Sequence, residues 1–350
     1  MPRKTVHIAG AGLAGMVAAI NLAREGFEVV VRDREEAIGG SKKYHPSIHT
    51  TPLQPEETWK YIGIDLAEHF VRTDEYPPMY YNEKRLKMPA YVDNLSAYNV
   101  ERGSRPTSID TRLFGLAVKE GVEFEFKKEL SPDSLRALPP GSIVATGLYR
   151  GMYETMGIKS APVHGVMALS GKEEGRAGGA IYMGSFSVDY AYSAWINGLM
   201  YVLLFSRKPI SDKQLQRFRK VMEKVEGFSS DKWVRVETGL FPRQCGLFRE
   251  DKILAGTLAG MIEPFWGYGV VGALLSGKIA ALAVTDRENA EAEFARFNGG
   301  FARKLARKEK MDAMPFRKQL LRLAIIKARF DCWRRPELKN AAKDPVVWFR

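Results

Sequence analysis

Cysteine is nearly absent from this chain. Two residues in 350, Cys245 and Cys332, stand far apart and form no CxxC spacing. That excludes a disulfide framework and a cysteine zinc site, and it fits a reducing, cytoplasmic setting. Long hydrophobic runs are missing too. The longest uncharged stretch, Tyr190 to Ser206, is too short to cross a bilayer and carries Asn197-Gly198 at its centre, a hairpin signal. The first residues, MPRKTVHIAGAGLAGMVAAINLA, have the basic head and small apolar run of a signal peptide, but their glycine spacing has another explanation, given below. Internal repeats and low-complexity linkers do not occur, and no metal site is expected. Acidic residues are scarce only at one end. Residues 301–350 hold 15 Lys/Arg against 5 Asp/Glu, which accounts for ten of the twelve net positive charges. The basic balance therefore belongs to a tail, and with no nucleic-acid motif beside it a nucleic-acid partner is not expected.

Glycine, by contrast, is placed with purpose. VHIAG reads as a short buried strand, Met16 to Glu25 as a helix ended by Gly26, and FEVVVRD as a second buried strand of a parallel sheet. Residues 38–52 read as a loop and Pro55 to about Phe70 as a helix. Residues 77–90 read as a small antiparallel pair around Asn82. Residues 108–120 form an amphipathic helix before the strand VEFEF, and GSIVATG (141–147) is a further apolar strand. Between Val163 and Gln244 the pattern turns antiparallel: an Asn-Gly hairpin, a helix from about Ser211 to Val225, and the strand WVRVETGLF. The segment 253–282 then reads strand, glycine-dense loop, helix, with Pro264, Phe265, Trp266 and Tyr268 set among the glycines.

Gly10, Gly12 and Gly15 make GxGxxG between a strand and a helix. The first glycine allows the tight turn, the second the approach of a pyrophosphate, and the third close helix–strand packing. The helix N-terminus offers unpaired N–H groups and the positive end of a dipole to the phosphates. Asp33 lies 23 residues after Gly10 at the end of the second strand, where a carboxylate accepts ribose hydroxyls. Dinucleotide binding follows. The glycine motif alone does not choose between NAD and FAD.

Four stretches of this sequence resemble the flavoproteins of the p-hydroxybenzoate hydroxylase fold, and within them the geranylgeranyl reductase-like family. They are GAGLAG with Asp33-Arg34, the segment RGSRPTSIDTRLFGLAVKEGVEFEF from Arg102, VATG at 144–147, and the 253–282 segment, which is similar to the family pattern GDAAGxxxPxxGxGIxxAxxSGxxAA. The resemblance implies an α/β fold: a Rossmann-type FAD-binding domain from 1–75, 93–160 and 245–285, an antiparallel substrate domain from 76–92 and 161–244, and a basic helical segment from 286–350. It implies FAD contacts at Gly10, Gly12, Leu13, Ala14, Gly15, Asp33, Arg34, Gly40, Arg105, Ala145, Thr146, Gly147, Gly256, Thr257, Pro264, Gly267, Tyr268, Gly269 and Val270. The glycines of 253–282 would then serve the cofactor. Thr257 stands where the family has an aspartate, and Asp33 where it more often has glutamate.

In such a fold the substrate lies between flavin and antiparallel sheet. Tyr190, Tyr192, Trp195 and Trp266 are the pocket candidates; Glu263, as a partly buried acid with a raised pKa, and His49 are the catalytic ones, with His45 beside the latter. Cys245 reads as a small buried hydrophobe. In Pro315–Trp333, Phe316, Leu320, Leu323, Phe330 and Trp333 fall near one helical face, while Arg317, Lys318, Arg322, Lys327 and Arg329 supply charge. This helix either docks on the flavin domain or makes peripheral contact with an anionic membrane at its inner face. The implied activity is an FAD-dependent oxidoreductase reducing a carbon–carbon double bond in a small apolar, isoprenoid-like substrate. A flavin monooxygenase and a flavin-binding regulatory protein without turnover are the alternatives. With one glycine motif only, NAD(P)H binds transiently or a separate electron-carrier partner reduces the flavin.

Overall fold

The computed structural model describes residues 4–340 except 173–174, 187–188 and 265. Phe265, residues 341–350 of the basic tail, and the side chains of Arg317 and Lys318 lie outside the described set.

The apolar run Thr5–Ala9 becomes the central strand of a six-stranded sheet, with Glu28–Arg32 and Glu123–Glu125 on one side and Ile143–Val144 and Lys252–Leu254 on the other, all parallel. Only the edge strand Phe248–Arg249 is antiparallel. Inner parallel strands are covered on both faces, which suits the apolar residues of Thr5–Ala9, Glu28–Arg32 and Ile143–Val144, while the outer strand Glu123–Glu125 is polar at both ends. Two helices, Leu13–Arg24 and Val270–Thr285, pack on the sheet and on each other, and nearly all of their side chains are buried.

A seven-stranded sheet holds the antiparallel part, ordered Trp233–Pro242, Ser160–Gly171, Leu199–Ser206, Tyr190–Ile196, Gly178–Met183, Met79–Tyr81, Lys84–Arg85. The pairing between Gly178–Met183 and Met79–Tyr81 is parallel. The Asn-Gly turn forms as the pattern predicts: Asn197 and Gly198 have φ of 53° and 74°, the left-handed pair that a two-residue hairpin requires. Helix Asp212–Glu226 covers the outer face of this sheet, its first turn held by a Ser211/Gln214 capping box.

Two expectations are corrected. The helix from Pro55 stops at Ile62, because Gly63 turns left-handed (φ 69°), and the chain then enters the strand Phe70–Arg72. Residues 38–52 are not all loop. Ser47–Thr51 pairs with Tyr98–Arg102, which also pairs with Phe70–Arg72, and these three strands form a third sheet between the other two. Strands of three to five residues with polar alternation carry too little periodicity to be read from sequence. The extended backbone also decides what His45 and His49 can do. Their i, i+4 spacing would share a face on a helix; here Ser47 sits between them on a strand.

Cys245 is exposed, not buried, while Cys332 is buried. Its backbone closes against Gly260, where a β-carbon would come within 2.7–2.9 Å of Cys245 and Gln244 atoms.

Candidate active site

The three nucleotide-loop glycines do different work. A β-carbon on Gly10 would sit 2.5 Å from the Ala145 carbonyl oxygen, and one on Gly15 only 1.9 Å from the Gly10 carbonyl oxygen. These two let the first strand, the VATG strand end and the helix close on one another. Around Gly12 there is open space for 4 Å, and its backbone (φ −80°, ψ −177°) suits any residue. Nothing in the protein needs a glycine there, so the empty volume in front of it is what the missing side chain preserves. Asp33 holds the loop from behind: its carboxylate accepts the Ala11 N–H at 2.6 Å and the Glu35 N–H at 2.9 Å. A carboxylate has further lone pairs for a ribose hydroxyl.

Gly10, Asp33, Arg34 and Thr146 line one cleft of about 60 Å³. The Thr146 hydroxyl is buried there without a hydrogen-bond partner, and Arg34 lies over the Tyr149 ring at 4.4 Å. Arg34 also borders the next cleft, about 380 Å³, with Gly40, Ser104, Lys127 and His45. His45 in turn borders a third space, an apolar cavity of about 340 Å³. The three are joined by shared residues.

Two helices begin at this site, at Gly12 and Gly269, and neither has a side-chain cap or an acid in its first turn. Helices elsewhere that begin at Ser108, Ser211 and Asp286 are capped by those side chains. The uncapped pair leaves orphan N–H groups and positive dipole ends for an anionic ligand. The uncapped helix starts, the space before Gly12 and the unpartnered Thr146 hydroxyl together fit a dinucleotide such as FAD.

The segment 253–282 divides in the same way. Gly267 (φ 78°), Tyr268, Gly269 and Val270 line the apolar cavity, with the Thr257 hydroxyl 3.9 Å from where a β-carbon of Gly269 would be. Gly256 instead donates its N–H to Ser276 at 2.8 Å, and Gly277 faces the first helix so closely that a β-carbon would lie 2.5 Å from the Ala14 carbonyl oxygen. The expectation that all these glycines serve the cofactor is therefore corrected: several serve helix packing. Pro264 is buried behind the loop. Leu13, Ala14 and Ala145 are buried, and Gly147 turns left-handed (φ 63°) after the strand.

Arg105 donates to the Asn197 carbonyl at 3.1 Å and lies 3.4 Å from the buried Glu101 carboxylate, so its contacts here are with the hairpin turn. Glu263 is buried but does not line the cavity. Its carboxylate accepts the Trp266 N–H at 2.6 Å and shapes the 263–268 turn. Tyr190, Tyr192 and Trp266 do line the cavity, and Trp195 does not. Successive strand residues point to opposite faces, so Trp195 lies with the helix-covered side, its ring against Gly178 and 5.0 Å from the Lys172 ammonium. Leu203 and Phe205 also line it, as do Met167, Tyr201, Val236 and Phe241, and all were missed. The two-residue turn pairs Tyr192 with Leu203 and Tyr190 with Phe205, so the hairpin register could have found those two.

No Asp, Glu, Lys or Arg side chain lines the cavity among the described residues, although three histidines do, His45, His49 and His164. Burial holds the Tyr190, Tyr192, Tyr201 and Tyr268 phenols well above their ordinary pKa, so all four stay neutral. Tyr190 donates to the Trp266 carbonyl and Tyr192 to the Ile48 carbonyl. Among the polar side chains of the lining, three form a chain: Ser47 Oγ lies 3.0 Å from His45 Nδ1 and 3.1 Å from His49 Nε2. Burial, then the Arg102 guanidinium, lowers His45 to about 4 and His49 to about 3. Arg102 is itself tied to Asp110 by two bonds of 2.7 and 2.8 Å. Burial alone would raise the Asp110 carboxyl, but Arg102 overrides it and leaves it below the usual range.

Both histidines are thus neutral in the folded protein, while unfolded histidine protonates near its ordinary value. Between those values the unfolded chain binds more protons, so stability falls as pH drops from about 6.5 toward 4. At pH 5 the loss is on the order of 2 kcal/mol for each histidine. Melting temperatures at pH 7 and pH 5 check this: the drop in the wild type should exceed that of a His45→Gln/His49→Gln variant.

Among known proteins, residues 8–55 match the NAD(P)-binding Rossmann-like domain family. The flavin-containing monooxygenase FMO GS-OX2 of Arabidopsis thaliana is 47% identical over 63 residues, 18% of this chain and 14% of that protein. A probable UDP-galactopyranose mutase of Klebsiella pneumoniae is 29% identical over 139 residues, 39% of this chain and 31% of that one. The chain thus spans less than a third of either relative's length. Over its whole length it is similar to a geranylgeranyl bacteriochlorophyll reductase-like protein of Thermoplasma acidophilum (TM-score 0.70, 17% identity, 97% of this chain and 100% of that one). Klebsiella pneumoniae HpxO complexed with FAD gives TM-score 0.64 at 12% identity, covering 97% and 98%. The p-nitrophenol 4-monooxygenase PnpA of Pseudomonas putida gives 0.59 at 13%, covering 97% and 100%. A Rossmann-type glycine loop on a parallel sheet, an antiparallel sheet over an apolar cavity, and these full-length likenesses show that the chain has the p-hydroxybenzoate hydroxylase fold that these flavoproteins share.

Proposed function

We propose that the protein is an FAD-dependent oxidoreductase that reduces a carbon–carbon double bond in an apolar, isoprenoid-like substrate. The observation that carries this reading is a mostly apolar cavity lined by no Asp, Glu, Lys or Arg among the described residues, joined through His45 and Arg34 to the clefts at the glycine loop. An ionised substrate would lose its hydration there with no countercharge, whereas an alkene chain loses nothing. Gly10, Gly12, Asp33, Arg34, Thr146 and the N-terminus at Gly269 would hold FAD. Reducing a double bond takes a hydride at one carbon and a proton at the other, and bound reduced FAD supplies the hydride.

The chain's own residues supply the proton and keep water out. His49 lines the cavity, and His45 reaches both the cavity and the outer cleft with Gly40 and Lys127. Ser47 has one hydroxyl proton, so it donates to one imidazole and accepts from the other, and reversing that direction moves a proton from His45 to His49. Because both imidazoles rest neutral, the proton arrives at the time of transfer. A single glycine motif accommodates one dinucleotide, so NAD(P)H or a separate carrier reduces the flavin from outside.

The test is to purify the protein, look for the visible absorption bands of flavin, reduce it without oxygen, and add candidate isoprenoid lipids. Return of the oxidised spectrum without oxygen is the expected result. Re-oxidation by oxygen alone, with product hydroxylated, would instead support a monooxygenase, the activity that the names of PnpA and FMO GS-OX2 carry. In that assay His49→Gln is expected to slow re-oxidation by substrate about a hundredfold or more, within the range for a lost acid–base group. Ser47→Ala should slow it by about tenfold and shrink the solvent deuterium effect. Unchanged rates in both would remove the relay.

A further inference from the structure

The C-terminal helix Arg317–Arg334 packs through Leu321, Ile325, Ala328 and Cys332, its body against the short turn Ala90–Asn94. Among the described residues nothing covers the opposite side, an apolar stripe: Phe316, Leu320, Leu323, Ile326, Phe330 and Trp333 are 47% to 76% exposed. Single exposed hydrophobics are ordinary, but six on one helical face are not. The helix sequence has six Lys/Arg and one acid, Asp331. Arg322, Lys327, Arg329 and Arg334 are exposed beside the stripe.

We propose that this face docks on an anionic lipid bilayer. Charge complementarity selects the occupant. Two copies of the chain meeting here would bring like charges together, whereas an anionic bilayer meets the basic flank with phosphates and the stripe with acyl chains. Two apolar rings, Phe330 and Trp333, lie 5.7 Å apart at one end, the side-chain type that sits at a lipid–water boundary. The position of the helix adds a route. Arg329 borders a cleft of about 660 Å³ whose wall is mixed, with Pro77, Leu86, Met88 and Val92 on an apolar side and charged residues such as Asp74 and Lys87 around them, and Pro77 also lines the apolar cavity. An apolar chain leaving the bilayer beside this helix would enter the cavity at Pro77. The route rests on the redox function proposed above; the docking surface does not.

The experiment is sedimentation of the full chain with vesicles of phosphatidylcholine alone or with added phosphatidylglycerol. The expected result is binding to the anionic vesicles at least tenfold tighter than to phosphatidylcholine, weakened by salt. Leu323→Glu/Phe330→Glu should lower it at least tenfold, with melting temperature and flavin content unchanged because both side chains are exposed. Arg322→Glu/Lys327→Glu should lower binding to anionic vesicles only. Wild type that ignores anionic vesicles overturns the proposal, as does a double variant that binds like wild type. A wild-type dimer that the same double variant dissociates, with no vesicle binding, would assign the face to a second copy. The readout needs neither flavin nor turnover. Vesicle binding by a flavin-free protein would sink the redox function alone, and double-bond reduction by a protein that ignores vesicles would sink the docking surface alone. For the route, Leu323→Glu/Phe330→Glu should lose turnover of bilayer-embedded substrate and keep that of detergent-dispersed substrate.

Discussion

Gly12→Asp is expected to leave the melting temperature of the flavin-free protein nearly unchanged and to weaken FAD binding by a hundredfold or more. The backbone there is extended, and no protein atom lies within 4 Å of the β-carbon that would be added, so the fold has no objection to the side chain. What the side chain would occupy is the space before the helix starting at Leu13, whose unpaired N–H groups have no competing cap. A carboxylate at that point would satisfy those groups itself and repel the pyrophosphate. A hundredfold corresponds to about 2.7 kcal/mol, in keeping with displacing a charged ligand from preorganised donors. The check is equilibrium dialysis with FAD beside thermal melting of the stripped protein. Retained affinity would remove FAD from this loop, while a large drop in melting temperature would mean that Gly12 is structural after all.

Gly277→Val is expected to do the reverse. The β-carbon would lie 2.5 Å from the Ala14 carbonyl oxygen and 2.8 Å from the Val17 β-carbon, so the two buried helices would have to move apart. Neither partner is the end of a flexible side chain; one is backbone and the other a branched residue at the centre of the core. Overpacking of this kind costs about 3 kcal/mol, and the melting temperature should fall by roughly 5–10 °C. Weaker FAD retention should follow only as a consequence, since the first helix carries the glycine loop. Thermal melting decides it: an unchanged midpoint would show that the helices can separate at little cost. The two glycines look alike in sequence, and these variants separate the one that keeps space for a ligand from the one that keeps two helices in contact.

Much of the fold was legible locally. Strand, glycine turn, helix and strand at 5–32 follow from the continuous apolar runs of a doubly covered sheet and from the GxGxxG spacing. The Asn-Gly hairpin follows from turn chemistry that only left-handed residues satisfy. The pocket was partly legible through the same hairpin, because a two-residue turn sets the register that brings Leu203 and Phe205 beside the tyrosines. The short strands Ser47–Thr51, Phe70–Arg72 and Tyr98–Arg102 were not, since each owes its existence to the others rather than to its own pattern.

Sequence alone therefore determined the nucleotide loop, the Asn-Gly hairpin and the uneven charge of the tail, all of which depend on residues close together in the chain. Tertiary structure decided the rest. It made Glu263 a turn former, turned Trp195 to the far face of its sheet, and brought His45, in the loop before the strand Ser47–Thr51, into line with Ser47 and His49 on that strand. It also left the apolar face of the helix Arg317–Arg334 uncovered by any of the described residues. These depend on what stands opposite each side chain, and contacts between segments far apart in the chain are made only when the chain folds.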